Sequence, residues 1–158
     1  MRLESKILVC RTPERIWAFL GDPANVPKWD RGVSEVVAKD GSGNGGSASQ
    51  DAGVEFDTLA DPSTRGLKDR GRMSYRVEDV DPAGYCTVRL TSTEGNARFF
   101  KDAEWRFHVE AAPEGAWVHC AAVFTLRWQY LFMAPVLYAA RKAILIDLKL
   151  LKGAIEVQ

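Results

Sequence analysis

The chain has 158 residues, 46% of them hydrophobic and 27% charged, and its 21 basic and 21 acidic side chains cancel. This is the make-up of one globular domain with room for a sizeable core, and the balance offers no field to draw nucleic acid or an anionic membrane surface. Three widely spaced cysteines, Cys10, Cys86 and Cys120, are expected as small core residues in a reducing, cytoplasmic setting rather than as a disulfide framework.

At the start, Leu3, Ser5, Ile7 and Val9 alternate with Arg2, Glu4 and Lys6. That period of two predicts a strand and does not fit a signal peptide. Thr12-Pro13-Glu14 then opens a helix: Thr12 is placed to cap free amides, Pro13 needs no donor there, and Glu14 suits the positive end. Ile16, Trp17, Phe19 and Leu20 give it an apolar face, and Gly21 ends it. Asp22-Pro23 begins a second short helix that Pro27-Lys28-Trp29-Asp30 closes.

Strands are expected over residues 33–39, 54–60, 72–80, 85–93, 98–110 and 116–128, with turns at 81–84, 94–96 and 112–115. Residues 40–51, rich in Gly and Ser, predict a flexible loop, and residues 61–70 a polar one. From about residue 134 the period becomes that of a helix. Leu137, Ala140, Ile144, Leu148, Leu151 and Ile155 form its stripe, with Arg141, Lys142, Asp147, Lys149 and Lys152 mostly off it. The apolar run over 130–140 is too short to span a bilayer, so no stable membrane insertion is expected.

Strand parity groups Met73, Tyr75 and Val77 on one face, Phe99, Lys101, Ala103, Trp105 and Phe107 on another, and Val118, Cys120, Ala122, Phe124 and Leu126 on a third. Turned toward the terminal helix, such faces would enclose an aromatic pocket of roughly 300 Å³ or more. The candidate ligand contacts are Trp29, Met73, Phe99, Trp105, Phe107, Phe124, Tyr130, Leu137 and Tyr138. The polar candidates on or beside these faces are Asp30, Arg72 and Tyr75, the first residues on which any catalysis would depend. Arg72 and Tyr75 stand three apart on a strand, so only one of them faces the pocket unless a bulge intervenes. Lys101 is expected at the rim. His108 and His119 read as an exposed outer-face pair on neighbouring strands, with no spaced partner for a metal. No phosphate loop or nucleophile motif is present, and no metal or cofactor is expected.

The run Thr12-Pro13-Glu14-Arg15-Ile16-Trp17-Ala18-Phe19-Leu20, with Asp22-Pro23, Pro27-x-Trp29-Asp30, Asp81-Pro82, Glu104-Trp105-Arg106-Phe107, and Phe124-Thr125-Leu126-Arg127-Trp128 leading into Ala134-Pro135, resembles the START-like, or polyketide cyclase/dehydrase (SRPBCC), superfamily. The resemblance covers essentially the whole chain. It implies an α+β helix-grip fold in a single domain over residues 1–158: a curved antiparallel sheet of about seven strands around a long C-terminal helix, with two short helices after the first strand. It also implies an internal cavity for a hydrophobic or aromatic small molecule. Members include aromatic-polyketide cyclases, lipid and quinone carriers, plant hormone- and alkaloid-binding proteins and chaperone regulators, and fold alone does not choose among them. Three readings follow: a polyketide cyclase or dehydratase, a non-catalytic lipid or quinone carrier, and a chaperone-regulator-like module that binds a partner. In the cyclases an inward Arg and a Tyr orient an enol or phenol, which is why the resemblance singles out Arg72 and Tyr75. The oligomeric state is left open, and no nucleic-acid partner is expected.

Overall fold

A computed structural model describes residues 1–39, 52–60, 71–81, 84–139 and 141–157. The loops expected over 40–51 and 61–70 lie outside the described residues. The alternating first segment forms strand β1 (Arg2–Val9), followed by helix α1 (Pro13–Leu20) and a short 3₁₀ helix (Pro23–Lys28). Six strands come next: β2 (Glu35–Ala38), β3 (Glu55–Leu59), β4 (Arg72–Asp81), β5 (Tyr85–Leu90), β6 (Phe100–Ala112) and β7 (Gly115–Leu126). A 3₁₀ helix (Gly95–Phe99) precedes β6 and another (Trp128–Met133) follows β7. Helices α2 (Ala134–Ala139) and α3 (Arg141–Glu156) follow.

The seven strands make one antiparallel sheet in the order β1-β7-β6-β5-β4-β3-β2. Strands β2 to β7 pair consecutively, and β1 returns beside β7 with Leu3 opposite Ala122 and Val9 opposite Ala116. The turn glycines have a steric reason. Gly115 sits at φ 145°, and a Cβ there would lie 2.1 Å from the Val9 carbonyl oxygen. At Gly84, φ is 100° and a Cβ would come within 2.7 Å of the Val109 carbonyl oxygen.

The helix starts differ from expectation in detail. Thr12 has the extended backbone of a cap and its carbonyl accepts the Ile16 N–H at 3.1 Å, but its hydroxyl caps no amide. Pro13 has already removed one amide that needed capping. Gly21 stays right-handed at φ −77°, donating to the Trp17 carbonyl, so no left-handed stop is used. Asp22 does cap: its carboxylate accepts the Ala24 N–H at 3.0 Å.

Leu148, Leu151 and Ile155 of α3 are buried together with Val9, Ile16, Phe19, Phe107, Val109 and Val118. Helix α3 thereby lies along β1 and β7. Leu3, Ala103, Ala122 and Phe124 form a second cluster against which Leu137 and Ile144 pack. The 3₁₀ helix Trp128–Met133 and α2 bury none of their side chains. On the outer face, the buried Asp57 carboxylate is held by Arg72 and Lys39, and buried Glu104 by Arg89 and Arg106. Burial pushes the Asp57 carboxyl up, but hydrogen bonds from Ser74, Arg72 and Lys39 outweigh it and hold it below the usual carboxylate range.

Gly115→Ala is expected to destabilise the fold by at least about 2 kcal/mol, because a positive φ and a backbone collision at Val9 act together. Urea unfolding of wild type and variant measures the difference, and an unchanged midpoint would show that the β6–β7 turn can shift away from β1.

Candidate functional site

Because α3 leans on the β1–β7 side, the concave face of β3 to β6 is covered by α1 and the 3₁₀ helix that follows it. A cavity of about 130 Å³ remains between them. Trp17, Leu20, Val26 and Trp29 form its cover, and Phe56, Val77, Val88, Trp105 and Phe107 its floor. The sheet-side residues alternate along each strand, so one parity of β3, β4, β5 and β6 supplies the whole floor. A second void, about 60 Å³, shares Trp29, Asp30, Trp105 and Phe107 with the first and continues toward Cys120, Ile144 and Asp147. The rings of Trp29 and Phe107 meet edge to face at 6.0 Å.

Among the described residues, Asp30 and Tyr75 are the ionisable groups of the larger void's lining, apart from the Cys86 thiol. Asp30 closes the 3₁₀ helix: its N–H donates to the Val26 carbonyl at 2.9 Å, and its carboxylate accepts the Gly32 N–H at 2.8 Å. Burial raises its pKa above the ordinary carboxylate value. The Gly32 hydrogen bond opposes that, the neighbouring Asp147 adds to it, and Arg31 offsets part of it. Arg31 itself lies 3.5 Å from Asp147. Burial likewise raises Asp147, against the pull of Arg31. Tyr75 packs between Phe56, stacked at 5.6 Å, and Trp105, edge-on at 5.4 Å. Burial and then the Asp30 charge push its phenol up, with the Thr58 hydroxyl bond opposing, so it stays a neutral donor. The thiols are silent: burial takes Cys120 to about 12 and Cys86 to about 11, far from the thiolate a nucleophile requires.

Among the residues expected at the site, the cavity brings together Trp29, Asp30, Tyr75, Trp105 and Phe107. Arg72 points to the outer face and binds Asp57, with Nε 2.8 Å from Oδ2, as its three-residue offset from Tyr75 requires. Met73 lies beside the Tyr75 hydroxyl, with its sulfur 3.7 Å away, but is not part of the cavity wall. Phe99 leaves the expected parity because β6 starts only at Phe100 and its register shifts between Phe100 and Asp102. Its ring instead meets Tyr130 at 5.0 Å. The same shift leaves Lys101 exposed. Phe124 and Leu137 belong to the second core cluster, and Tyr138 is exposed. The pocket is therefore smaller than expected and walled by the front cover rather than by the terminal helix, because α3 fills the other half of the sheet.

Sequence reasoning missed Trp17, Val26, Phe56, Thr58 and Val88 as lining residues, and Asp147 as a half-buried neighbour. Asp147 had a readable signal: three residues after Ile144 and four before Leu151, it falls on the apolar stripe of α3. On the outer face, His108 and His119 sit opposite each other with rings 5.4 Å apart, and Tyr85 stacks on His108 at 4.0 Å. Among the described residues no group of three or more His, Cys, Asp or Glu could hold a metal ion, and no helix is long and apolar enough to cross a membrane.

Solved structures share this fold at low identity. The di-domain aromatase/cyclase BexL from the BE-7585A biosynthetic pathway superposes with a TM-score of 0.71 at 16% identity, over 99% of this chain and 46% of that one. The chain thus spans under half the length of that protein. Norcoclaurine synthase from Thalictrum flavum, in complex with dopamine and hydroxybenzaldehyde, gives 0.72 at 10% identity, over 100% of this chain and 87% of that one. Ara h 8.0201 gives 0.68 at 15% identity, over 100% and 99%. No curated protein matches in sequence. The model of one family, polyketide cyclase/dehydrase and lipid transport, matches residues 1–151, and the chain belongs to that family.

Proposed function

We propose that the cavity binds a compact aromatic or alicyclic molecule bearing a carbonyl, enol or phenol oxygen, and that Asp30 and Tyr75 carry acid–base chemistry on it. The observation behind this reading is the convergence of one half-buried carboxyl and one half-buried phenol on walls that are otherwise almost wholly apolar. Such walls with few placed polar groups are the usual composition of a small-molecule site. At about 130 Å³ the space is the size of one ring; an engineered cavity of about 150 Å³ holds benzene. Norcoclaurine synthase, of the same fold, holds single-ring aromatics, which is the same scale.

In this mechanism Tyr75 donates its hydroxyl proton in a hydrogen bond to the substrate carbonyl. Ionised Asp30 removes a proton from the neighbouring carbon, the C–H electron pair becomes the C=C of an enolate, and Tyr75 stabilises the oxygen charge. The enolate C=C pair then forms a bond to a second carbonyl carbon, the first C=O re-forms, and the π pair of the second C=O moves onto its oxygen as an alkoxide. Protonated Asp30 returns its proton to the new alkoxide, and later loss of water completes a dehydration. The indole and phenyl rings fix the approach of the two carbons and exclude water. A carboxyl whose pKa is raised by burial is a stronger base than an ordinary carboxylate, which suits it both to take and to return a proton in this cycle.

The second reading, a non-catalytic carrier, draws on the apolar character of the remaining walls. The variants Asp30→Asn and Tyr75→Phe separate the two. Binding of a phenolic probe is followed by quenching of Trp17, Trp29 and Trp105, and turnover is assayed on a short poly-β-ketone that closes to a single ring. The catalytic reading expects binding retained and turnover reduced by a factor of about 100 or more. Absence of turnover in wild type, with binding indifferent to both changes, would leave the carrier.

Stability carries a second signature. The folded Asp30 has a raised pKa, so the native state holds its proton to higher pH than the unfolded chain. Stability therefore falls as pH rises through the window between the unfolded and folded values, and the cost is complete above the folded value. Asp30→Asn removes that cost. Its melting temperature should exceed that of wild type most at neutral pH, with the gap narrowing on acidification. A variant less stable than wild type at neutral pH would mean that the ionised carboxylate supports the fold.

A further inference from the structure

The 3₁₀ helix Trp128–Met133 and α2 turn most of their large apolar side chains outward, while Leu137 packs on the second core cluster. Trp128 is 82% exposed, Phe132 75% and Val136 66%, with Leu131 and Tyr138 at 59% each. Five large apolar side chains so close together exceed the single exposed hydrophobics of an ordinary surface. Charge along the segment itself is one-sided. From Gly115 to Ile146 the sequence contains no Asp or Glu, and its cations are Arg127, Arg141 and Lys142, all exposed. Arg98 adds a further cation over the Phe99 ring, at 5.1 Å, and that ring meets Tyr130. On a chain of zero net charge, basic and aromatic groups are thus collected at one place.

We infer that this segment docks the protein peripherally on an anionic lipid surface. Trp and Tyr favour the headgroup level, where an apolar ring and a polar edge are both accommodated. Phe132, Leu131 and Val136 supply area to bury at the headgroup–acyl boundary, and the basic rim is drawn to anionic lipid. The segment lies on the surface and does not cross it. A second copy is a poorer occupant: a two-fold contact would set this cationic face against itself with no carboxylate from the segment between. The inference is independent of what the cavity binds.

The test is flotation of the full chain with phosphatidylcholine vesicles and with mixed phosphatidylcholine–phosphatidylglycerol vesicles, at low and high salt. Wild type is expected to float with the mixed vesicles only, and less at high salt. Arg141→Gln with Lys142→Gln should weaken partitioning at low salt by roughly twenty-five-fold, about fivefold for each cation. Trp128→Ser with Phe132→Ser should abolish it while the circular-dichroism melt stays that of wild type, since both side chains are exposed. Should that variant misfold, the wild type still reports: brominated lipid should quench its fluorescence, and Trp128→Phe should remove that quenching. Failure to float with mixed vesicles would overturn the inference, as would flotation unchanged in both double variants. Concentration-dependent dimerisation in sedimentation velocity, lost in the Trp128/Phe132 variant and without vesicle binding, would assign the face to a second copy.

Discussion

Leu148, Leu151 and Ile155 leave water against Val9, Ile16, Phe107 and Val118, and this burial holds α3 on the β1–β7 side of the sheet. Each such side chain contributes roughly 1.5–3 kcal/mol on leaving water. The position of every other covering element follows. With one half of the concave face occupied by α3, the half made by β3, β4 and β5 falls to α1 and a single short 3₁₀ helix. That helix carries Pro23 at its start and Pro27 inside it, so it is short and poor in backbone hydrogen bonds. Bulky indoles hung from so small a support roof the sheet without filling the space beneath. The cavity is a result of this uneven coverage, and so is its modest volume.

The buried carboxylates show two opposite electrostatic solutions. Asp57 and Glu104 on the outer face are each met by two cationic side chains, and their charge is supported where it stands. Asp30 on the inner face has one backbone amide, while the nearest guanidinium, Arg31, is engaged with Asp147. A charge so weakly answered in an apolar interior costs free energy, and this raises the Asp30 pKa above the ordinary carboxylate value. An arrangement that is unfavourable for stability and set beside a cavity is what a working acid or base requires. The outer pairs thus read as structure, and the inner carboxyl is the group on which the proposed acid–base role rests.

The order of elements and the turn positions were legible because they rest on local rules: alternation in β1, Pro13 at a helix start, and glycines between long strands. Which of Arg72 and Tyr75 turns inward was constrained by the two-residue period of a strand. Parity failed where it met a defect. The register shift at the head of β6 and the 3₁₀ turn before it removed Phe99 from the face on which counting had placed it. The wall of the pocket was misassigned for a different reason. Nothing local tells how a long helix divides a sheet, so Phe124 and Leu137 were expected to line a space that core packing closes. Asp147 was read as off the helix stripe, although its spacing from Ile144 and Leu151 put it on the buried side. The exposed aromatics after β7 were counted as interior because apolar composition alone does not distinguish a core from an interface.

The pairing of β1 with β7 has a consequence for how the chain reaches its structure. Leu3 finds its partner Ala122 only after almost the entire sheet has been laid down, and α3, which also rests on β1, comes later still. The meander from β2 to β7 can zip by successive hairpins, each closing a modest loop. The first strand must instead wait, bearing Arg2, Glu4 and Lys6 among its apolar residues, while the edge of β7 stays open. Closure of that edge is thus a long-range pairing, and contacts of such high sequence separation are the kind that slow folding. During synthesis the vulnerable species is an almost finished sheet with one unpaired border, and the charges along β1 help keep the waiting strand from pairing with another chain.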